Sequence, residues 1–431
     1  MRSDVGWRRP ARRSAVAAAA MTVAVAVVVA GCSSSGDGDK NASGASTTPA
    51  GSSAATPDNG VLAAGTKNVP GDNPVPVGVL YTDDNPIGVA PEIKDAADAA
   101  AKYVNSHGGI GGRAVKIVAC NGKNNAQSDA QCAAQFVNSG VVTVYGLDGF
   151  WGGVGVSVIG KAGIANQTLP ISGPEFSAPN AYPWEGSGVT ASAAAASYIA
   201  DQKITGGCAY VDVPAFKEQC LDYFQKPAQQ LGVKTSVLAI SPTANDLGQY
   251  ATRLSQTGAK SVLVTAGGQV PQQLINSSAQ IGYKPQWILP SQRPDFFKAV
   301  GSQANGMIFY NDLVDASDQT NADAAIFRAA LAEWAPKTVV DAFSIMTFAN
   351  IVTLARLGTQ VGGDKITRQG LPALLGSVKN LPQFMGPVLD SSKHLPDLPH
   401  ALHTGAYLYQ WDGSTYKAAG KGYYVVPGSA G

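Results

Sequence analysis

The chain has 431 residues, with 31 Lys and Arg against 30 Asp and Glu, a formal charge of +1, and 45% apolar residues. That balance, with no Lys/Arg stripe in the body of the chain, argues against nucleic acid as a partner. The length suffices for two domains.

The first residues form an export signal. Arg2, Arg8, Arg9, Arg12 and Arg13 precede an apolar stretch of alanine and valine over residues 14–30, short for a membrane span and followed by small residues. Val29-Ala30-Gly31-Cys32 resembles the lipobox of bacterial lipoproteins, in which the signal peptidase cuts before a cysteine carrying diacylglycerol. The resemblance implies a signal peptide over 1–31 and a lipidated Cys32; an ordinary cleavage site or an uncleaved anchor is the alternative. Acyl chains contribute about 0.8 kcal/mol per buried methylene, and stable anchoring needs more than one chain. Cleavage there leaves 400 residues with 26 basic and 29 acidic side chains, a charge of −3. No further apolar run reads as long enough to span a membrane.

Residues 32–73 are rich in Ser, Gly, Ala, Thr, Asn and Asp. They bury too little apolar surface to offset chain entropy and read as a disordered tether, reaching about 35 Å from some forty residues. Beyond it stand four cysteines, Cys120, Cys132, Cys208 and Cys220, two pairs each twelve positions apart. An even number in an exported chain reads as disulfides. Of three connectivities we expect Cys120–Cys132 and Cys208–Cys220, each worth on the order of 3 kcal/mol. Zinc binding and thiol catalysis are the alternatives, without a CxxC or a neighbouring histidine to favour them.

From residue 74 strands and helices alternate. "VPVGVLY" reads as a buried strand, residues 90–109 as an amphipathic helix with a glycine stop, and "RAVKIVAC" as the next strand. A helix over 127–138, the strand "VVTVYG", a segment over 154–165 and the strand "LPISG" follow. The rhythm restarts with a helix over 192–202, then "CAYVDV", a helix over 216–231, "KTSVLAI", a helix over 247–256, "KSVLVTA", a helix over 271–281, "QWIL" and "GMIFYND". Helical stretches over 322–335, 340–357 and 368–375 precede a β-rich tail in which Asp412-Gly413 marks a hairpin. Two α/β units in series, each a mostly parallel sheet with helices on both faces, are expected.

Several segments carry a family resemblance: "VPVGVLYTDDNPIG", "AAAKYVNSHGGIGGRAVKIVACN", "LPISG", "GYKPQWIL", and "FMGPVLD" followed by "YLYQWDGSTY". They resemble the type I periplasmic solute-binding proteins, and within them the branched-chain amino-acid receptors that feed ATP-driven importers. The likeness runs over most of 75–426, and the helix–GGIGGR–strand piece is its most specific part. It implies two Rossmann-like lobes joined by three hinge strands: lobe 1 over 75–187 plus 317–384, lobe 2 over 188–316 plus 385–426.

In open parallel sheets ligands sit beyond the carboxyl ends of strands. Those ends offer Tyr81, Asp83, Asp148, Phe150, Trp151, Glu175, Phe176 and Ser177 in lobe 1, and Phe216, Gln269, Ser291 and Asp295 in lobe 2. The resemblance implies hydroxyls and backbone N–H groups at the second and third loops, holding an α-carboxylate. This chain departs from that with Asp148 and Glu175, which would repel such a group. Rings beside acids suit a polyol, an amide or a cationic solute instead. Alternatively the acids cap helix starts and the aromatics pack into the hinge.

No G-x-S-x-G elbow, Walker loop or H-E-x-x-H occurs, and "GGIGGR" follows a helix rather than a strand, unlike a dinucleotide fingerprint. His394, His400 and His403 lie in one proline-rich segment that is either a surface connection or a metal site. The reading is therefore a non-enzymatic, monomeric receptor without cofactor, anchored to the outer face of the cytoplasmic membrane. It hands a small solute to the permease subunits of an importer. A ligand-sensing lipoprotein and an extracellular hydrolase are the alternatives.

Overall fold

The computed structural model describes residues 69, 71–83, 90–123, 125–146, 153–171, 173–395, 398 and 400–429. The signal peptide, Cys32, most of the tether, and Asp148, Phe150 and Trp151 lie outside them.

The first unit runs β1 (Val75–Tyr81), α1 (Glu92–Ser106), β2 (Val115–Asn121), α2 (Ala126–Asn138), β3 (Thr143–Gly146), α3 (Gly153–Lys161), β4 (Ala165–Asn166) and α4 (Gly173–Phe176). The second runs α5 (Ser187–Asp201), β5 (Gly206–Val211), α6 (Pro214–Glu218), a π-helical turn (Gln219–Gln225), α7 (Lys226–Gln230), β6 (Thr235–Ile240), α8 (Gly248–Gln256) and β7 (Ser261–Thr265). It continues through α9 (Val270–Gln280), β8 (Gln286–Pro290), α10 (Pro294–Val300) and β9 (Ile308–Asn311). Then come α11 (Ala322–Trp334), α12 (Ala342–Val361), α13 (Leu371–Leu375), β10 (Leu381–Pro382), β11 (Val388–Leu389), β12 (Gly405–Trp411) and β13 (Tyr416–Val425).

Two main sheets result. One has the order β2-β1-β3-β4, all parallel, and the other the order β13-β12-β9-β8-β7-β5-β6, with β12 antiparallel to β9 and to β13. Continuous β-branched runs such as Ser261–Thr265, buried throughout, are what a sheet covered on both faces requires. On lobe 1, α1, α11 and α12 cover one face with a core that includes Ile93, Val104, Phe327, Phe348 and Leu354. The opposite face packs Leu80, Val144, Phe136 and Ile159. Lobe 2 has a comparable pair of cores, around Leu263 and Phe224 on one side and Val264 and Leu274 on the other.

Three segments differ from expectation. The ladder beside β3 is made by residues 165–169, where the Gln167 and Leu169 amides reach the Val144 and Gly146 carbonyls at 2.9 Å each. It ends at Pro170, which has no N–H to give, so "LPISG" does not continue as a strand, and α4 begins at its last residue, Gly173. The helix expected over 216–231 is interrupted by the π-helical turn Gln219–Gln225. Finally, α12 is long and apolar enough by composition to cross a membrane, contrary to the sequence reading, yet 83% of its apolar window is buried in lobe 1.

Both expected disulfides are present. Cys120–Cys132 ties β2 to α2, and Cys208–Cys220 ties β5 to the π-helical turn. The GGIGGR segment proves structural. Ile110 is buried, and Gly111 sits at φ +55°, where an added Cβ would lie 2.3 Å from the Gly363 nitrogen. Arg113 donates to the carbonyls of Gly363 at 2.9 Å and Ile366 at 3.1 Å. The motif thus clasps the start of β2 to the end of α12, a close backbone approach that glycine permits.

Candidate functional site

The chain passes between the two sheets near 184–187, near 311–316, and between β11 and β12. Buried polar groups join all three passages. Glu185 accepts from Asn350 at 3.1 Å and Gln383 at 3.2 Å. Asp312 accepts from the backbone of Ser187 at 3.0 Å and from Thr190 at 3.3 Å, with the His403 ring 3.9 Å away. Burial raises Glu185 well above the usual carboxylate range, raises Asp312 against the pull of His403, and lowers His403. The three histidines are separately engaged: His394 bonds the Leu395 carbonyl, His400 stacks on Tyr182 at 4.6 Å, and His403 belongs to the hinge. Among the described residues no group of three His, Cys, Asp or Glu is placed to hold a metal ion.

Above this hinge the strand ends of the two lobes face each other, and among the described residues polar side chains touch across the gap at two places. On one side, Glu218 of α6 accepts from the Gly173 amide at 3.2 Å, and Gln219 donates to the Ile171 carbonyl at 2.8 Å. On the other side, Arg293, just past β8, reaches Glu92 at the start of α1 and Asp341, 3.1 Å away, at the N-cap of α12. Burial, with Asp341 close by, pushes Glu92 up to about 7 against the pull of Arg293. Asp341 also closes a capping box with Ser344, accepting its amide at 3.0 Å.

Beside the Arg293 contact lies a cavity of about 220 Å³ whose walls come from both lobes and from the second passage; they include Ser291, Gln292, Asp315, Asp341, Trp411 and Tyr416. Ile345 lines it and also a cavity of about 50 Å³ at the hinge, next to Glu185, Asn311 and Asp312. Aromatic faces beside carboxylates and hydroxyls can stack on an apolar ring face while accepting hydrogen bonds from hydroxyls or amines.

The residues singled out from sequence scatter around this gap. Tyr81 is half-buried against the lobe 1 core, and Asp83 is exposed and accepts from Asn121. Glu175 braces its own loop, accepting from the Ile171 amide at 3.1 Å, while Ser177 is exposed. Phe176 is fully buried with Val189, Leu395, Leu398 and Val426, so it packs the hinge and offers no surface to a ligand. Phe216 is half-buried against the lobe 2 core, and its carbonyl accepts from Thr265 at 3.1 Å. Gln269 and Asp295 are exposed at the starts of α9 and α10, whereas Ser291 lines the larger cavity. Sequence reasoning did not find Glu92, Asp341, Trp411 or Tyr416. Glu92 carries no signal beyond that of an ordinary first-turn acid. Trp411 and Tyr416 could have been found from the hairpin marked by Asp412-Gly413, which aims both rings at one place.

A two-lobed α/β body with its gap at the strand ends defines the class of bilobal solute receptors. Comparison with known proteins agrees: residues 74–419 match the periplasmic binding protein family, and the chain belongs to it. No curated protein matches the sequence. Among solved structures, a fatty acid ABC transporter substrate-binding protein from Thermomonospora curvata is 18% identical, with a TM-score of 0.66 over 84% of this chain and 94% of the other. A possible leucine/isoleucine/valine-binding protein from Rhodopirellula baltica is 12% identical, with a TM-score of 0.68 over 82% and 99%. A solute-binding protein of an ABC transporter from R. palustris, in complex with benzoate, is 17% identical, with a TM-score of 0.65 over 83% and 99%. At these identities the likeness establishes the shared fold. Members of the family bind small solutes outside the cytoplasm for ABC transporters and are not enzymes.

Proposed function

We propose that this protein is a lipid-anchored receptor that closes on a polyol, amide or cationic solute and presents it to the permease subunits of an importer. The observation that carries the ligand class is the 220 Å³ interlobe cavity, with Trp411 and Tyr416 beside Asp315, Asp341 and Ser291. Its volume suits a small molecule, and its carboxylates disfavour an anionic guest. The structural relatives named for fatty acid and benzoate carry carboxylate cargo. This chain brings acids to its own interlobe gap, and the charge of Arg293 there is met by Glu92 and Asp341.

The lobes are assigned as 75–187 plus 317–384 and 188–316 plus 385–426; the passages near 187 and 316 support the first two bounds, while the third passage, between β11 and β12, falls later than 385 because Met385 and Leu389 still pack in the lobe 1 core. Ser291 is placed in the ligand shell with Gln269, Asp83 and Glu175 at its rim. Asp148, Phe150 and Trp151 are assigned to the same rim from the sequence. Binding energy drives closure, and no bond is made or broken. The protein acts as a monomer held through Cys32 on the outer face of the cytoplasmic membrane, and a Cys32→Ala variant is expected to lose incorporation of a fatty-acid label and to retain residues 1–31. Mass spectrometry of the co-purified ligand, followed by thermal-shift titration with sugars, polyols, amides and amines, tests the cargo. Tight binding of leucine, valine or benzoate with no response to the others would overturn it.

A further inference from the structure

We propose that Arg293 is the positioning residue that ties the cleft shut, linking lobe 2 to two carboxylates of lobe 1; the inference rests on the solute-receptor reading above. Arg293 follows β8, Glu92 opens α1 behind β1, and Asp341 caps α12. The second contact across the gap is made by Glu218 and Gln219, which follow β5, and by the loop after β4. Sheet order places β3 between β1 and β4, and β7 between β8 and β5. The two contacts therefore flank the ends of β3 and β7, and the 220 Å³ cavity adjoins Arg293 on its other side, toward β9, β12 and β13.

They are unequal in kind. The Glu218 and Gln219 contacts are a carboxylate on an amide and a neutral amide–carbonyl bond. The Arg293 contact joins a guanidinium with 31% side-chain exposure to carboxylates exposed by only 1% and 5%. Glu92 and Asp341 both belong to lobe 1, and Asp341 raises the cost of charge on Glu92. When the lobes part, water can reach both acids; when they close, Arg293 is the group that meets them. A charge pair of this kind is strongly coupled to whatever removes one partner, because the remaining charge stays buried and unpaired. Closure without Arg293 leaves two carboxylates facing each other at a dry interface, so the open form gains.

The experiment compares wild type, Arg293→Gln and Arg293→Lys, each dialysed free of solute. Small-angle scattering reads the radius of gyration, and hydrogen exchange is followed at the starts of α1 and α12. R293Q is expected to be more extended, with exchange there faster by tenfold or more, while exchange in β7 and β8 is unchanged. R293K is expected to recover part of both effects. A role confined to folding would instead loosen β7 and β8 along with the rest. Should R293Q disturb those strands, the double variant Glu92→Gln/Asp341→Asn replaces it. It keeps a competent helix cap and is expected to extend the molecule in the same way. Identical scattering and exchange in wild type and the intact variant would overturn the assignment. Failure of wild type to respond to any solute in the thermal-shift panel would count against the receptor reading, a result that scattering of solute-free protein does not depend on.

Discussion

Glu92 shows how a single side chain couples this interface to pH. Its carboxyl is raised from an ordinary 4.5 to about 7, chiefly by burial and then by Asp341. The native protein therefore holds this proton more tightly than the unfolded chain does. The stability so gained is complete below about 4.5 and is lost as pH rises through about 7. Asp129, raised to about 6 by burial, acts in the same direction, and so does Glu185. His403, lowered by burial, acts oppositely: its contribution is present above its ordinary 6.5 and fades as the pH falls below that. Melting temperatures of wild type and Glu92→Gln, measured between pH 5 and 8, are expected to show a shallower decline with rising pH in the variant. Arg356 offers a plainer case. It is 2% exposed, holds Asp323 through bonds of 2.8 and 3.1 Å, and lies 5.0 Å from the centre of the Phe384 ring. Arg356→Met strands a buried carboxylate and is expected to cost about 3–5 kcal/mol in denaturant melts.

Among the elements, the π-helical turn Gln219–Gln225 stands out because it adjoins the lobe contact. Glu218 and Gln219 touch Gly173 and Ile171, and the next residue, Cys220, is bonded to Cys208 in the middle of β5. The disulfide thus fixes the turn to the sheet one residue from the contact it presents. Replacing both cysteines by serine is expected to cost about 3 kcal/mol in thermal or denaturant melts and to speed hydrogen exchange through the turn. The strands were largely legible, since continuous β-branched runs between Gly and Pro signals leave few other readings. The π-helical turn was not, because a helical pattern fixes neither the local winding nor where it slips. "LPISG" was misjudged because an apolar run of five cannot show that its hydrogen-bond partners give out at Pro170. The site was legible only in its strand ends. Phe176 and Ser291 both follow strand ends, and the local sequence does not reveal that one turns into the hinge and the other into a cavity. The Arg293–Glu92 pair spans 201 positions, and no local pattern announces it.

For the molecule as a whole, the decisive property is that its two halves share a hinge but bury separate cores. A solute bound between them stabilises the native state by mass action, by about 2.7 kcal/mol at one hundred times its dissociation constant. A true cargo is therefore expected to raise the melting temperature and to reduce the radius of gyration in the same titration. A compound that raises the first without changing the second binds one lobe alone.

Helix α12 carries a further consequence for the order in which the molecule can assemble. The face of the first sheet that rests on Phe348, Ile351 and Leu354 is built by residues about 200 to 280 positions before them, so β1 and β3 stay partly uncovered until late chain arrives. The strands from β5 to β9 and their intervening helices, by contrast, find most of their neighbours within one continuous stretch. Contacts distant along the chain form slowly. During passage through an export channel the middle of this polypeptide can therefore settle while its beginning still waits for its lining.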